Sequence, residues 1–232
     1  MTLPRVLLAH GFLSSFEMNW RDTGFADLLA DVGRTVIPFD FPGHGTAAKP
    51  HDPEAYADLP EALDAAVPPG EVIDAVGFSM GAVQLLHLAT RRPERFRRLV
   101  VSGVGENVFR AHDASHVADA IASGVEPDDD GTVKFFVQSS KIPGNDPLAL
   151  AACMRRMHAA LTEDDLGRLT FPVLVVLGDK DFAGPADRLV AALPDARLVT
   201  LRNTEHFATP RAFGFFDAAL DFLAAGDEDG RP

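Results

Sequence analysis

Six short apolar runs separated by helix-like stretches are the feature that most constrains the fold of this chain. The runs are rich in Val, Ile and Leu and cover 5–9, 35–39, 72–78, 99–102, 172–177 and 197–201. Continuous apolar runs of this length are typical of strands buried on both faces of a sheet. Apolar residues recur at helical spacing within 22–31, 81–91, 185–193 and 210–225. Strands that alternate with helices predict an α/β fold with a mainly parallel sheet of about six strands.

One interval interrupts this alternation. Residues 104–169 contain no clear parallel strand, carry an acidic stretch at 126–130 and look helical at 148–161. The interval is too long for a simple connection, because most loops have about 2–6 residues. We predict a short helical cap over 104–169, inserted between core segments 1–103 and 170–225, and a frayed polar tail at 226–232.

Composition and charge exclude several function classes. The chain has 232 residues, and its 21 basic and 34 acidic residues give a net charge of −13. Nucleic acids and anionic membranes attract basic surfaces, so neither is expected as a partner. The single cysteine, Cys153, cannot form an internal disulfide or a cysteine-based zinc site, and no metal is expected. No apolar run reaches the roughly 18 residues of a membrane span and no signal-peptide pattern is evident, so we expect a cytoplasmic protein.

The segment from Gly77 to Gly81 fits the pattern G-x-S-x-G, with Ser79 at its centre. It lies after a predicted strand and before a predicted helix, which is the context that this motif requires. The two glycines allow the backbone a sharp turn that exposes the serine hydroxyl, and the free N–H groups of the helix favour developing negative charge. We interpret Ser79 as a nucleophile.

A serine nucleophile needs a base and a carboxylate that orients it. His206 is the best candidate for the base, because it follows the last predicted strand, where parallel sheets place their sites. Asp181, just after the fifth strand, is our choice for the acid. Asp179 and Glu106 remain as alternatives, although aspartates such as Asp179 often bond turn amides.

His10, Gly11 and Phe12 follow the first predicted strand. A glycine here lets the backbone turn so that the Phe12 N–H faces the site. Together with the Met80 N–H it would bind the oxyanion of a tetrahedral intermediate.

In combination these motifs resemble the α/β-hydrolase superfamily, and specifically its esterase-like serine hydrolases with a small cap. The resemblance is carried by five segments in the order of the family, at 10–12, 40–45, 77–81, 178–181 and 206–207. It implies a strand order of 2-1-3-4-5-6. Family members usually have an antiparallel strand pair before the His-Gly segment; only nine residues precede His10, so we expect that pair to be missing.

The predicted activity is hydrolysis of a small carboxylic ester or thioester through an acyl-enzyme on Ser79, with no cofactor. A serine at this position opposes the family branches that use an aspartate nucleophile. Apolar side chains of the predicted cap are candidates for the substrate pocket: Phe109, Phe135, Phe136, Met154 and Met157.

Two other functions stay open at this stage. The segment from His10 to Ser15 is also similar to the opening motif of the menaquinone-pathway lyases, which would need a basic pocket. Arginines are available for it at 91, 92, 95, 97, 98, 155 and 156. Some superfamily members instead keep the fold as ligand-binding or scaffold proteins with little turnover.

Overall fold

A six-stranded sheet forms the centre of the molecule. The computed structural model describes residues 3–111, 114–156 and 159–225. Within these residues every strand pairing is parallel, and the strand order is β2-β1-β3-β4-β5-β6. The strands are β1 (Val6–Ala9), β2 (Val36–Pro38), β3 (Ile73–Phe78), β4 (Phe96–Ser102), β5 (Val173–Gly178) and β6 (Ala196–Leu201). The predicted fold class, strand number and strand order are confirmed.

Both faces of the central strands β1, β3 and β5 are buried, which explains their apolar sequences, whereas the edge strand β6 is largely exposed. In β1, Leu7 and Ala9 belong to one core cluster, whereas Val6 and Leu8 belong to a second cluster on the other face. This is the two-residue alternation of a strand covered on both sides. The sheet is therefore held between two helical layers.

The helices occupy both layers. They are α1 (Phe25–Asp31), α2 (Leu59–Ala65), α3 (Met80–Arg91), α4 (Ser115–Ser123), α5 (Gly131–Ser140), α6 (Pro147–Arg155), α7 (Glu163–Leu166), α8 (Asp187–Ala192) and α9 (Phe213–Ala224). The helix predicted at 210–225 begins later, because a 3-10 helix, His206–Arg211, comes first. The helix predicted at 22–31 also begins later, since a π-helix, Glu17–Arg21, and Gly24 in the left-handed region (φ 83°) precede it.

Helices α4 to α7 fill the interval between β4 and β5, where the cap is predicted. Helix α6 is buried from Ala149 to Met154, and α4 packs against it. Their apolar side chains are continuous with the core beneath α3. The division into core and cap therefore stays a prediction, and the tail at 226–232 lies outside the described residues. Of the helices described, none is both long and apolar enough to cross a membrane.

Candidate active site

Ser79 lies at a strained turn between β3 and α3. Its backbone adopts φ 51° and ψ −117°, a region that costs energy for any residue but glycine. The turn is held by a 2.8 Å hydrogen bond from the Ser79 N–H to the Ser102 carbonyl. A Cβ on Gly81 would overlap the Ala9 carbonyl, and one on Gly77 would lie 2.7 Å from the backbone of Ala82. Only glycines at both positions allow this packing.

Ser79, His206 and Asp181 form one chain of hydrogen bonds. The distance from His206 Nε2 to Ser79 Oγ is 2.9 Å. On the other side of the ring, His206 Nδ1 lies 2.8 Å from Asp181 Oδ1 and 3.0 Å from Oδ2. The Asp181 side chain is fully buried, and its Oδ1 also accepts a hydrogen bond from the Ala183 N–H at 2.8 Å. The three side chains therefore have the contacts that proton transfer from serine to imidazole needs.

The two alternative acids contact other groups. Asp179 Oδ1 accepts a hydrogen bond from the Thr204 N–H at 3.2 Å, which fixes the loop that leads to His206. Glu106 pairs with Arg188 at 3.1 Å. Of the three carboxylates, Asp181 is the one whose oxygens contact the imidazole.

The loop after β1 lies against the serine turn. A Cβ on Gly11 would lie 2.8 Å from the Phe78 ring and 3.5 Å from Ser79 Cβ. Phe12 and Met80 both line the cavity at Ser79. The Met80 N–H lies in the first turn of α3, where backbone donors have no partner inside the helix.

Two side chains hold the peptides on either side of Gly11. Asn19 Oδ1 accepts a hydrogen bond from the Gly11 N–H at 2.9 Å. His10 Nε2 accepts one from the Phe41 N–H at 3.1 Å, so Nδ1 carries the proton and donates to the Gly11 carbonyl at 2.8 Å. Because the Gly11 carbonyl and the Phe12 N–H belong to the same peptide plane, His10 orients the Phe12 N–H.

Burial keeps His10 and its neighbour His44 neutral. It lowers the pKa of His10 to about 4, although the Gly11 carbonyl and the Asp40 carboxylate favour the charged ring. It lowers the pKa of His44 to about 3, and the nearby His10 adds to this. Burial opposes ionisation of Asp40 as well, but hydrogen bonds from the Thr46 and Phe16 N–H groups outweigh it and lower the pKa of that carboxyl. The segment 40–45 thus forms the loop beside His10, and none of its residues lines the cavity at Ser79.

A cavity of about 260 Å³ lies over Ser79 and His206. Phe136 and Met154 are among the residues that line it. Phe135 lines a neighbouring cavity instead. Phe109 lies elsewhere: its ring packs beneath the Arg188 guanidinium at 4.0 Å, and it lines neither cavity. Met157 lies outside the described residues.

Phenylalanines that the sequence analysis did not single out surround the His206 ring. Phe182, which is 69% exposed, lies over it with a centroid distance of 4.3 Å. Phe78 lies 5.0 Å from it at an angle of 40°, and Phe207 contacts it edge-on. Phe182 and Phe207 directly follow Asp181 and His206 in the sequence, and this adjacency to the candidate triad could have identified them as residues of the site.

The arginines considered for a basic pocket are engaged elsewhere. Arg91 pairs with Asp58, Arg155 pairs with Asp119, and Arg95 pairs with Asp64. None of the seven arginines is among the described residues that line the cavity at Ser79.

Known proteins resemble this chain in sequence and in fold. The sequence model of the Alpha/beta hydrolase family matches residues 6–224. The chain is 28% identical over 235 residues to a pimeloyl-[acyl-carrier protein] methyl ester esterase of Neisseria meningitidis, covering 88% of this chain and 87% of that protein. A thermophilic esterase from Thermogutta terrifontis has the same fold, with a TM-score of 0.72 and 20% identity over 96% of this chain and 90% of its own. A hydrolase from Pseudomonas aeruginosa superposes with a TM-score of 0.64 and 24% identity over 96% of this chain and 91% of its own.

Proposed function

The chain belongs to the alpha/beta hydrolase family, and we propose that it hydrolyses a small carboxylic ester or thioester through an acyl-enzyme on Ser79. The observation that carries the proposal is the unbroken chain of contacts from Ser79 Oγ through His206 to the buried Asp181 carboxylate. A serine hydroxyl is a weak nucleophile, and this chain supplies the base that it needs.

In the first step, His206 Nε2 takes the proton from Ser79 as Oγ attacks the carbonyl carbon of the ester. The buried Asp181 carboxylate holds the proton of Nδ1 and stabilises the imidazolium that forms. The C–O bond, or the C–S bond of a thioester, then breaks. The leaving group takes the proton from Nε2 and departs as an alcohol or a thiol.

In the second step, His206 removes a proton from water, which attacks the carbonyl carbon of the acyl-enzyme. The bond to Ser79 Oγ breaks, Oγ regains the proton, and the acid is released. In both steps the N–H groups of Phe12 and Met80 stabilise the oxyanion, a contribution worth about 10²–10³ in rate per donor in a related enzyme.

The cavity supports a small ester as the substrate class. Its volume is about 260 Å³, and Val83, Phe136 and Met154 give it apolar walls. Apolar walls with few polar groups suit an acyl chain next to a reactive carbonyl. The Neisseria relative is named for hydrolysis of a methyl ester, which favours a small alcohol as the leaving group.

The two other functions have less support. A lyase acting on a polyanion needs several cations at the site, and the described residues around Ser79 include no arginine. A scaffold protein without turnover does not require a serine held in a strained conformation against an imidazole.

We also propose a reducing cytoplasm as the compartment, since the single thiol, Cys153, is buried and unpaired.

Labelling with an active-site phosphonate tests the proposal. The folded protein should bind the probe covalently at Ser79 and hydrolyse p-nitrophenyl acetate and butyrate, and Ser79→Ala should do neither while keeping its circular dichroism spectrum. A folded wild-type protein that is inert to the probe and to both esters would contradict the proposed function. Activity in an elimination assay without any ester hydrolysis would favour the lyase.

A further inference from the structure

A second cavity lies beside the one that contains Ser79. It measures about 210 Å³ and shares three wall residues with the catalytic cavity: Phe12, Phe78 and Phe207. These phenylalanines form the wall between the two cavities. The two cavities are therefore adjacent, and a ligand long enough to reach both would pass these side chains.

The chemistry of the second cavity differs from that of the first. Its polar lining residues are Arg211, Asn19, Ser14 and Ser139, and no described carboxylate lines it.

Arg211 carries the positive charge of this cavity. Unlike the arginines that pair with Asp58, Asp64 and Asp119, its guanidinium forms no ion pair with any carboxylate of the described chain. Arg211 ends the 3-10 helix that begins at His206, so one short element carries both the imidazole and the guanidinium. The backbone of Arg211 is thereby held close to the reacting centre.

Asn19 supplies a second donor. Its Oδ1 accepts the hydrogen bond of the Gly11 N–H, which leaves the amide nitrogen with two N–H groups to donate. The remaining wall is apolar and includes Leu13, Met18 and Ile142. The cavity thus combines the planar guanidinium of Arg211 and neutral hydrogen-bond donors with apolar walls that suit an alkyl chain.

We propose that the second cavity binds an ionised carboxylate of the substrate, so that the natural substrate is an ester which carries a second, free carboxylate group. This inference rests on the proposed function and specifies its substrate class. A carboxylate matches the planar guanidinium through two parallel hydrogen bonds, and its single charge matches the single cation. The apolar wall between the cavities then holds the carbon chain that joins the two ends.

The test compares monomethyl esters of succinic, adipic and suberic acid with their dimethyl esters, which lack the free charge. The readout is the ratio of KM for the dimethyl ester to KM for the monomethyl ester at the best chain length. Arg211→Gln should lower this ratio about tenfold, the low end for a hydrogen bond to a charged group at an exposed side chain. Arg211→Lys should recover part of the loss, and raised ionic strength should shrink the effect.

Arg202→Gln is the matched control, because it removes an exposed arginine that lines neither cavity. It should leave the ratio unchanged. If Arg211→Gln and wild type give the same ratio, or if Arg202→Gln lowers it equally, the inference is overturned while ester hydrolysis stands.

Calorimetric titration with free adipate or suberate examines the cavity without turnover and separates this inference from the proposed function. Binding to Ser79→Ala that weakens about tenfold when Arg211→Gln is added supports the carboxylate site even if both esters prove inert. Equal binding with and without Arg211, or no binding at all, overturns it.

Discussion

The turns that hold the catalytic groups and the segment 104–169 above them are built by different means. In the turns, backbone packs directly on backbone: a Cβ on Gly81 would overlap the Ala9 carbonyl, and one on Gly178 would overlap the Thr204 carbonyl. In the segment 104–169, Gly105 beside the sheet is also tightly packed, since a Cβ there would lie 2.6 Å from the Pro185 carbonyl oxygen, but Gly131 and Gly144 further along have no heavy atom within 4 Å of such a Cβ. Close backbone contacts fix the positions of atoms in the turns, whereas the segment 104–169 is held mainly by side-chain contacts, which substitutions can change.

This difference matches what each region contributes. Proton transfer and oxyanion binding depend on positions held within fractions of an ångström, and glycine contacts and buried hydrogen bonds hold them. Recognition of an acyl chain depends on the size of an apolar volume, which side chains such as Phe136 and Met154 can set. We therefore expect substitutions in the turns to affect turnover or folding, and those in the segment 104–169 to affect selectivity.

The largest effect is expected from Asp181→Asn. The carboxylate only accepts a hydrogen bond from Nδ1–H, whereas an amide can donate its own N–H to Nδ1, so the wrong tautomer of His206 faces Ser79 and kcat should fall by about 10⁴. Steady-state hydrolysis of p-nitrophenyl butyrate measures this. Glu106→Gln should stay close to wild type, because Glu106 contacts Arg188 and not the imidazole. Normal turnover in Asp181→Asn would remove Asp181 from the mechanism.

The second-largest effect is expected in the free energy of unfolding, which should respond differently to a glycine substitution in the turns and in the segment 104–169. Gly81→Ala forces a Cβ into the backbone of β1, and the free energy of unfolding should fall by about 3 kcal/mol or more, as for other severe overpacking. Gly131→Ala makes the same change at the start of α5 in open space, and it should be neutral or stabilise by up to about 1 kcal/mol. Urea denaturation of both variants decides it. Equal losses would show that the two regions are packed alike.

The turns could be predicted from the sequence because their chemistry is local. The G-x-S-x-G motif predicts the conformation of its own turn. Each candidate triad residue closely follows an apolar run, so its place at the end of a strand can be predicted. The same reasoning placed all six strands and, through the family resemblance, their order. Helix α2 was not predicted, although Asp58 caps it by accepting the Glu61 N–H and Pro60 lies in its first turn.

The cavity walls could not be predicted because they depend on tertiary packing. Phe135 and Phe136 are neighbours on one helix, yet they line different cavities, since consecutive helical residues point about 100° apart. Phe109 packs beneath Arg188, a partner nearly eighty positions away in the sequence. Arg211 gave no signal in the sequence, because only the fold shows which side chains share its cavity.

A smaller effect is expected in the pH dependence of stability. The pKa values of buried His10 and His44, about 4 and about 3, lie below the ordinary 6.5, so the unfolded chain takes up these protons first. Their contribution is fully present above pH 6.5 and is lost as the pH falls toward about 4 for His10 and toward about 3 for His44. The slope is at most about 1.4 kcal/mol per pH unit for each histidine.

Urea denaturation of His44→Asn between pH 7 and pH 4 isolates this contribution. The variant should be less stable at neutral pH, with a shallower loss toward acid than wild type. His116→Asn removes an exposed histidine of the segment 104–169 and should leave the slope unchanged. An unchanged slope in His44→Asn would show that His44 makes no contribution to the acid sensitivity.

The smallest effect in free energy is expected where the segment 104–169 meets the substrate. Phe136→Ala enlarges the catalytic cavity, so the ratio of kcat/KM for p-nitrophenyl octanoate to that for the butyrate should rise about tenfold, the scale of one or two methylenes in an apolar pocket. Phe109→Ala is the matched control, because it removes the same side chain from the same segment but away from both cavities. Its ratio should equal that of wild type. Identical shifts in the two variants would mean that the segment 104–169 affects selectivity through its overall packing. The distinction between rigid catalytic turns and a substitutable cavity wall would then no longer hold.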